Sequence, residues 1–188
     1  MTDRLLQARE TLLKQIRRTP MSTTPGDAML LRILIQASRA RRGIEVGVFA
    51  GYGAIHMGIA FERTGGRLYS LEIDPKRAAT ALSNVRKAGL EKTVTVLCGD
   101  ALELIPRLRG RFDFLFLDAA KRDYLRYLKA AEPKLNPGAV VAADNTIVHA
   151  SEMREFLRYL RTSPDYETVL LRASMEKGDG MTVSLKLR

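Results

Sequence analysis

The sequence predicts an α/β fold: a doubly wound, mostly parallel sheet of seven strands that closes with an antiparallel C-terminal hairpin. Short apolar runs alternate with amphipathic stretches from residue 43 onward, which is typical of right-handed βαβ crossovers and of a parallel sheet covered on both faces. The runs 112–117 and 139–143 are almost wholly apolar, as strands buried on both faces should be. The patterns 166–171 and 181–187 are joined by a loop too short for a crossover helix, which predicts a hairpin.

The predicted elements follow one another with short connections. Two helices over 3–18 and about 26–40 come first, separated by a polar loop with Pro and Gly at 21–26. The apolar stripe of the first helix must be buried somewhere, and we expect it to cover the mouth of a site or to meet a second copy of the chain. The predicted strands of the core lie at 44–48, 67–72, 93–98, 112–117 and 139–143. The predicted helices of the core lie at 52–63, 75–88, 100–108, 121–134 and 149–161.

Length and composition bound the class of protein. A chain of 188 residues, 46% apolar and 28% charged, predicts one globular domain over 1–188, with N-terminal helices in 1–42 and an α/β core in 43–188. No apolar run approaches the roughly 18 residues of a membrane span, and the start lacks the layout of a secretory signal. The single cysteine, Cys98, excludes an intrachain disulfide and favours the cytoplasm, and we expect it in the core.

The net charge of +10 has two interpretations. A basic chain can bind nucleic acid, a membrane surface or an acidic substrate. Here the basic residues are dispersed, mostly at predicted helix ends, and no aromatic residues are interleaved with them as in a single-strand groove. The pattern favours a solvated surface and argues against nucleic acid as the partner, while an anionic substrate stays open.

The first strand of the core ends in a glycine-rich turn that leads directly into a helix. The turn, Glu45-Val-Gly47-Val-Phe-Ala-Gly51-Tyr-Gly53, lacks the second glycine of the nicotinamide fingerprint because Phe49 stands there. Glycines allow a ligand to approach the backbone, and the free N–H groups of a helix start favour negative charge. The turn therefore predicts a ligand site, and a packing turn between strand and helix is the alternative.

The next two strands also end in residues suited to a ligand. Glu72 lies roughly 20 residues after the turn, where α/β nucleotide sites place a carboxylate on ribose hydroxyls. The third strand runs into Gly99-Asp100-Ala101. Such strand ends line the crevice of an open parallel sheet. A solvated acid at the end of a strand is the alternative for Glu72.

Oxygen-bearing side chains follow the fourth and fifth strands. Asp118 comes directly after run 112–117, and Asp144 and Asn145 come directly after run 139–143. Adjacent parallel strands would bring the three together, and two carboxylates with an amide oxygen suit Mg²⁺, Mn²⁺ or Ca²⁺ rather than zinc. The alternative is that the two acids cap the helices that follow.

Lys121 is the candidate for proton transfer, because it lies one turn after Asp118 and is expected to point into the same mouth. A neighbouring divalent ion would favour loss of its proton, as a general base requires. A surface lysine at a helix start is the alternative. We expect surface or packing roles for three other residues, namely Asp123, Tyr124 and His56, whereas His149 is placed where it can face the site.

These pieces together resemble the cation-dependent class I S-adenosylmethionine (SAM) O-methyltransferases, the group that includes catechol and caffeoyl-coenzyme A O-methyltransferases. The matching segments extend over most of the chain, and the specific part is Asp118-Ala-Ala-Lys121 followed by Asp144-Asn145. The resemblance implies a Rossmann-like fold, SAM as cofactor and a small-molecule acceptor with vicinal hydroxyls. The family's usual serine after Gly-Tyr is Gly53 here.

The resemblance also implies a role for each residue singled out above. It assigns to the cofactor Glu45, Gly47, Val48, Phe49, Gly51, Gly53, Glu72, Ile73, Gly99, Asp100, Ala101 and Asp118. It assigns Asp118, Asp144 and Asn145 to the metal, and Lys121 to the base. It further implies a homodimer, with the N-terminal segment, the 21–26 loop or the hairpin at the interface, and we expect Met21 and its loop to form a lid.

Two other functions are compatible with the same fold. A nucleic-acid methyltransferase is motivated by the charge, but an amino-group enzyme often carries Asn/Asp-Pro-Pro-Tyr/Phe where this chain has Asp118-Ala-Ala-Lys121. A non-catalytic cofactor-binding protein is disfavoured because it would not need the metal set and the lysine together.

Overall fold

The computed structural model describes residues 3–16, 18–19, 22–173 and 176–188. The helices are α1 (Asp3–Gln15), α2 (Pro25–Ala37), α3 (Tyr52–Thr64), α4 (Pro75–Lys87), α5 (Ala101–Arg107), α6 (Tyr124–Ala131) and α7 (Arg154–Thr162). The strands are β1 (Arg42–Val46), β2 (Arg67–Glu72), β3 (Val94–Cys98), β4 (Phe112–Leu117), β5 (Leu135–Ala143), β6 (Tyr166–Leu171) and β7 (Met181–Lys186). Short 3-10 turns at Lys121–Asp123 and Glu132–Lys134 flank α6. No described helix is long and apolar enough to cross a membrane.

The seven strands form one sheet in the order β3-β2-β1-β4-β5-β7-β6. The first five strands pair in parallel, whereas β7 pairs antiparallel with both β5 and β6. This arrangement confirms the predicted fold class. The chain reverses its direction of progress between β1 and β4, and ligands of open α/β sheets bind beyond the carboxyl ends of the strands at such a point.

Two hydrophobic clusters cover the two faces of the sheet. Phe114 and Phe116 of β4 face one cluster, which contains residues of α1 to α4. Leu115 and Leu117 alternate to the other face, where they join residues of α5 to α7. The near-continuous apolar sequence of β4 is therefore explained by burial on both sides.

The first helix packs on its own chain. Leu13 and Ile16 are buried in the cluster beside α3 and α4. The buried Arg9 donates from Nη1 and Nη2 to the Glu62 carboxylate at 2.7 and 3.0 Å, and from Nε to the Ala88 carbonyl at 2.8 Å. The expectation that the stripe of this helix covers a site mouth or a second copy was therefore wrong for Leu13 and Ile16, which the core buries, whereas Leu5 of the same stripe is 37% exposed.

Three further expectations were wrong in detail. The helix predicted at 149–161 begins only at Arg154, since the preceding residues form turns. The helix predicted at 121–134 is divided into a 3-10 turn, α6 and a second 3-10 turn that contains Pro133. Cys98 is exposed rather than in the core, because it ends β3, which is an edge strand.

Candidate active site at the carboxyl edge of the sheet

The glycine-rich turn after β1 brings two backbones into contact. Gly47 has φ 90°, and a Cβ atom there would lie 2.2 Å from the Asp118 carbonyl oxygen. Only glycine fits this position, because the conformation and the space both exclude a side chain. Gly51, which precedes α3, has φ 85°, and a Cβ atom there would lie 3.2 Å from Ala81 Cα, so α4 packs closely against this glycine. The turn is thus fixed against β4 on one side and α4 on the other.

Glu72 holds the glycine-rich turn from the neighbouring strand. Its Oε2 atom accepts hydrogen bonds from the N–H groups of Val48 at 3.0 Å and Phe49 at 2.9 Å. Its Oε1 atom accepts from the N–H of Asp74 at 3.1 Å. The residue is buried, which excludes the alternative of a solvated strand-end acid.

A cavity of about 670 Å³ runs along this edge of the sheet. The predicted site residues on its wall are Gly47, Val48, Phe49, Gly53, Glu72, Ile73, Gly99, Asp100, Ala101, Asp118, Lys121 and Asn145. Glu45, Gly51 and Asp144 do not line it. Asp100 also caps α5, because its Oδ1 atom accepts from the N–H of Leu102 at 2.8 Å. Most of the residues predicted for cofactor and metal therefore line the same cavity.

Glu45 is buried directly behind this wall, with 2% of its surface exposed. Burial raises the pKa of its carboxyl to about 8, Asp118 and Glu72 add to the rise, and a 2.6 Å hydrogen bond from Ser70 Oγ opposes it. A Cβ atom at Gly53 would lie 3.1 Å from Glu45 Oε1 and 3.2 Å from Thr23 Oγ1. The hydroxyl of Thr23 thus lies close to the place that a serine at position 53 would fill.

Lys121 stands at the centre of a short polar chain. Its Nζ donates to Asp118 Oδ1 at 3.0 Å and to Tyr124 Oη at 2.8 Å. Tyr124 Oη in turn donates to the Asp144 carbonyl at 3.3 Å. Burial, with Asp118 and Asp144 adding to it, raises the pKa of Tyr124 well above its ordinary value, so the phenol keeps the proton that it donates. The expectation of a mere packing role for Tyr124 was incomplete, because the ring is buried while the hydroxyl reaches the site.

Asp144 lies beneath Asn145, with 2% of its surface exposed. One carboxylate oxygen accepts from the N–H of Asn145 at 2.7 Å, and the other, Oδ2, is buried without a hydrogen-bond partner in the part of the chain that the structure describes. Burial raises the pKa of Asp144 to about 7, and the charges of Asp118 and Asp27 add to the rise. A cation would remove both penalties. Within the described ranges no group of three or more His, Cys, Asp or Glu residues has metal-binding geometry, so the candidate set depends on the amide of Asn145.

Thr23 and Asp27 reach the site from the start of α2 and the residue before its cap, and neither was predicted to belong to the site. Thr24 caps α2 by accepting from the N–H of Asp27, and it donates to the Asp27 carboxylate at 2.5 Å. Burial raises the pKa of Asp27, and Asp118 and Asp179 contribute to this rise. Thr23 Oγ1 lies 3.5 Å from Asp118 Oδ2. The Thr-Thr-Pro sequence signals a helix start, but nothing local indicates that this start lies against Asp118.

The remaining candidates have structural surroundings. His149 lines the cavity, and its Nδ1 lies 2.6 Å from Glu152 Oε1. His56 is buried, and burial followed by the charge of Arg32 lowers its pKa to about 4, so the ring is neutral. Asp123 pairs with Arg126 at 2.7 Å, as expected of a surface acid.

The loop before α2 meets the loop before β7. Lys177 Nζ donates to the Ser22 carbonyl at 2.6 Å, and Arg18 pairs with Glu176 at 3.1 Å. Ser22 and Thr23 line the cavity, so this contact lies beside its mouth. The lid expected at Met21 lies outside the described residues.

Known proteins resemble this chain over nearly its whole length. A family model described as O-methyltransferase matches residues 2–187. A catechol O-methyltransferase from Niastella koreensis is 38% identical over 131 residues, which cover 68% of this chain and 59% of that protein, so the chain spans less than two thirds of its length. Caffeoyl-CoA O-methyltransferase 2 from Populus trichocarpa is 26% identical over 192 residues, which cover 89% of this chain and 76% of that protein. The crystal structure of an O-methyltransferase from Bacillus cereus in complex with SAH matches with a TM-score of 0.86 and 26% identity, covering 99% of this chain and 92% of that one.

Proposed function

The chain belongs to the O-methyltransferase family, and we propose that it transfers the methyl group of SAM to a hydroxyl of a small molecule with the help of a divalent cation. One observation carries the proposal. The glycine-rich turn, the Asp118–Lys121 pair and Asn145 line a single cavity at the point where the sheet reverses its strand order. A cofactor, an acceptor and a proton-accepting group can therefore meet there.

We assign SAM to the part of the cavity between the turn and Gly99-Asp100-Ala101. Glu72 suits the ribose hydroxyls, because its carboxylate lies on the cavity wall and is already oriented by the N–H groups of Val48 and Phe49. The SAH that occupies the Bacillus cereus relative is the product that SAM becomes after losing its methyl group. Glu45 and Gly53 lie next to the same wall and suit the methionine portion.

We assign the cation to Asp118, Asp144 and Asn145. The fit rests on Asp144 Oδ2, which is buried without a described partner, and on the repulsion among the acids around it. Two carboxylates and an amide oxygen form the hard oxygen set that Mg²⁺, Mn²⁺ and Ca²⁺ prefer. When bound, a divalent ion supplies a Lewis acid that lowers the pKa of a hydroxyl coordinated to it.

Lys121 accepts the proton of the acceptor. Its Nζ is fixed by Asp118 and Tyr124, and Lys121 lines the cavity, so this nitrogen is held where an acceptor hydroxyl can reach it. The proton passes from the acceptor hydroxyl to Lys121, a bond forms between the acceptor oxygen and the methyl carbon, and the bond from that carbon to sulfur breaks. The products are a methyl ether and SAH, and fixed positioning of the reactants contributes much of the rate.

The acceptor class that fits best is a small molecule with two neighbouring hydroxyls. Two adjacent hydroxyl oxygens could both bind a cation held by Asp118, Asp144 and Asn145, and this would keep the reacting oxygen in place. The Niastella koreensis relative carries the name catechol O-methyltransferase, which describes this class.

A panel assay tests the proposal. Methyl transfer from SAM is measured to catechols and to matched phenols with a single hydroxyl, with EDTA and after addition of Mg²⁺, Mn²⁺ or Ca²⁺. We expect methylation of the catechols, loss of activity in EDTA and recovery on addition of metal. Full activity in excess EDTA would refute the metal assignment, and failure to methylate any hydroxyl compound would refute the transfer reaction.

We also propose that the protein forms a homodimer through the face of its C-terminal hairpin, β6 and β7, that carries Val169 and Leu185. Leu185 lies opposite Val140, and Val169 lies opposite Val183, so both continue the sheet face that the first cluster covers further in. Val169 is 52% exposed and Leu185 39% exposed, so both leave apolar surface in contact with water. A second copy of the chain carries the same apolar patch, and two such patches can cover each other in a two-fold dimer. Sedimentation at micromolar concentration should give a dimer for the wild type and a 21.0 kDa monomer for Leu185→Glu. A wild-type monomer would contradict the proposal.

A further inference from the structure

We propose that Asp179 is a positioning residue that holds the amide of Asn145 with its oxygen towards Asp118 and Asp144. The inference rests on the proposed metal function of these three residues. Asp179 lies in the loop before β7, far from the other candidates in sequence, and it is 6% exposed. Its carboxylate is divided between two tasks, and each task uses one oxygen.

The first oxygen of Asp179 holds the loop that follows β5. Oδ1 accepts from the N–H groups of Ile147 and Val148, both at 3.0 Å, and from the N–H of Gly180 at 2.8 Å. These bonds fix the backbone of residues 147 and 148 within the turns that separate β5 from α7. Because three backbone N–H groups point at this atom, an amide side chain at position 179 would also place its oxygen here and its N–H₂ group on the other side.

The second oxygen of Asp179 faces Asn145. Oδ2 accepts from Asn145 Nδ2 at 3.1 Å. A carboxylate can only accept, and an amide presents one oxygen and one N–H₂ group, so pairing the N–H₂ with Asp179 turns the amide oxygen away from it. Asn145 has φ 62°, and its backbone N–H is bound by Asp144 Oδ1, so the backbone is also fixed. Asn145 lines the cavity together with Asp118, so the amide oxygen is the group left for a cation on that side.

The loop has other bonds that do not involve the amide. The N–H and the hydroxyl of Thr146 both donate to the Gly180 carbonyl, at 2.9 and 3.0 Å. A Cβ atom at Gly180 would lie 2.8 Å from Ile147 Cδ1, so the two loops also pack closely. The orientation of Asn145 can therefore be disturbed while the loops stay joined.

The substitution Asp179→Asn separates the two tasks. The new amide keeps its oxygen on the three backbone N–H groups, so its N–H₂ group faces that of Asn145. Two donors cannot pair, so Asn145 turns over and presents N–H₂ in place of oxygen to a cation. We expect roughly 10- to 100-fold weaker affinity for Mn²⁺ in calorimetric titration of the full chain, the range typical when the partner of a metal ligand is lost.

A matched control lies at the opposite end of the sheet. Asp113 also accepts from two backbone N–H groups, those of Arg41 and Arg42, and from one asparagine amide, Asn136 Nδ2 at 2.8 Å. Asp113→Asn makes the same chemical change away from the cavity and should leave Mn²⁺ affinity unchanged. Both single variants are first checked for folding by thermal unfolding.

Rescue distinguishes positioning from loop support. In Asp179→Asn with Asn145→Asp, the new amide donates to a carboxylate whose other oxygen remains for the cation, so affinity should return to the wild-type value. Wild-type affinity in Asp179→Asn alone, or no recovery in a folded or unfolded double variant, would overturn the inference while leaving the metal proposal intact. Absence of Mn²⁺, Mg²⁺ and Ca²⁺ binding by the wild type would overturn both.

Discussion

Replacing Glu45 by Gln should remove a large part of the pH dependence of stability. The Glu45 carboxyl is buried behind the part of the cavity wall that we assign to SAM. Burial raises its pKa to about 8, and the charges of Asp118 and Glu72 add to the rise. The folded state therefore binds this proton more tightly than the unfolded state does. The free energy of unfolding should fall as pH rises from the unfolded pKa near 4.5 through the folded pKa near 8.

The size of the effect follows from linkage. Each pH unit between these two values costs about 1.4 kcal/mol, so Glu45 alone should cost about 3 to 4 kcal/mol between pH 5 and pH 8. Asp144, with a pKa of about 7, acts in the same direction. The difference between wild type and Glu45→Gln isolates the Glu45 part, because glutamine cannot ionise and leaves Asp144 in place.

The measurement is urea unfolding at several pH values from 5 to 8.5, without cofactor and with EDTA. We expect the free energy of unfolding of Glu45→Gln to decline less steeply with pH than that of the wild type. The slope is the quantity compared, since the substitution also alters packing and the bond from Ser70 at all pH values. Parallel slopes for the two proteins would show that Glu45 does not take up a proton on folding between pH 5 and pH 8.5.

Two further substitutions test the roles of Glu72 and Gly47 in the part of the cavity that we assign to SAM. Glu72→Ala should weaken SAH binding by about 1–3 kcal/mol in calorimetry, because charge-assisted hydrogen bonds to ribose and support of the turn are both lost, and unchanged affinity would count against the ribose assignment. Gly47→Ala should lower the free energy of unfolding by more than the roughly 1–3 kcal/mol of backbone strain alone, since its Cβ would lie 2.2 Å from the Asp118 carbonyl oxygen. Gly138→Ala is the control, because it shares a positive φ but has open space around it, and equal losses for the two would show that the contact is unimportant.

The fold and one wall of the site could be predicted because local sequence specifies them. The alternation of strands and helices determines a parallel sheet, and parallel strands bring their carboxyl ends to one edge, which is where Glu72, Asp118 and Asn145 lie. The family resemblance is confirmed by the O-methyltransferase family match over 2–187. The hairpin was predicted because its connection is too short for a crossover.

The missed residues are those that reach the site from distant parts of the chain. Thr23 and Asp27 precede the sheet, and Asp179 follows six of its strands, so no periodicity relates them to Asp118 or Asn145. A surface or packing role was predicted for Tyr124, and the structure shows a buried ring whose hydroxyl accepts from Lys121 Nζ. A sequence pattern does not show where such a hydroxyl points. Tertiary contacts decide such roles, and local propensity carries no information about them.

In the proposed mechanism, Lys121 accepts the acceptor proton in a site that also holds cofactor and cation. The single-turnover rate of methyl transfer to a catechol by Lys121→Met, with saturating SAM and Mg²⁺, tests it most directly. Lys134→Met is the control, since Lys134 Nζ binds the Leu108 carbonyl away from the cavity. We expect the rate of Lys121→Met to fall by about 10²- to 10⁴-fold with SAH affinity retained, and the rate of Lys134→Met to equal that of the wild type. A wild-type rate for Lys121→Met would contradict it.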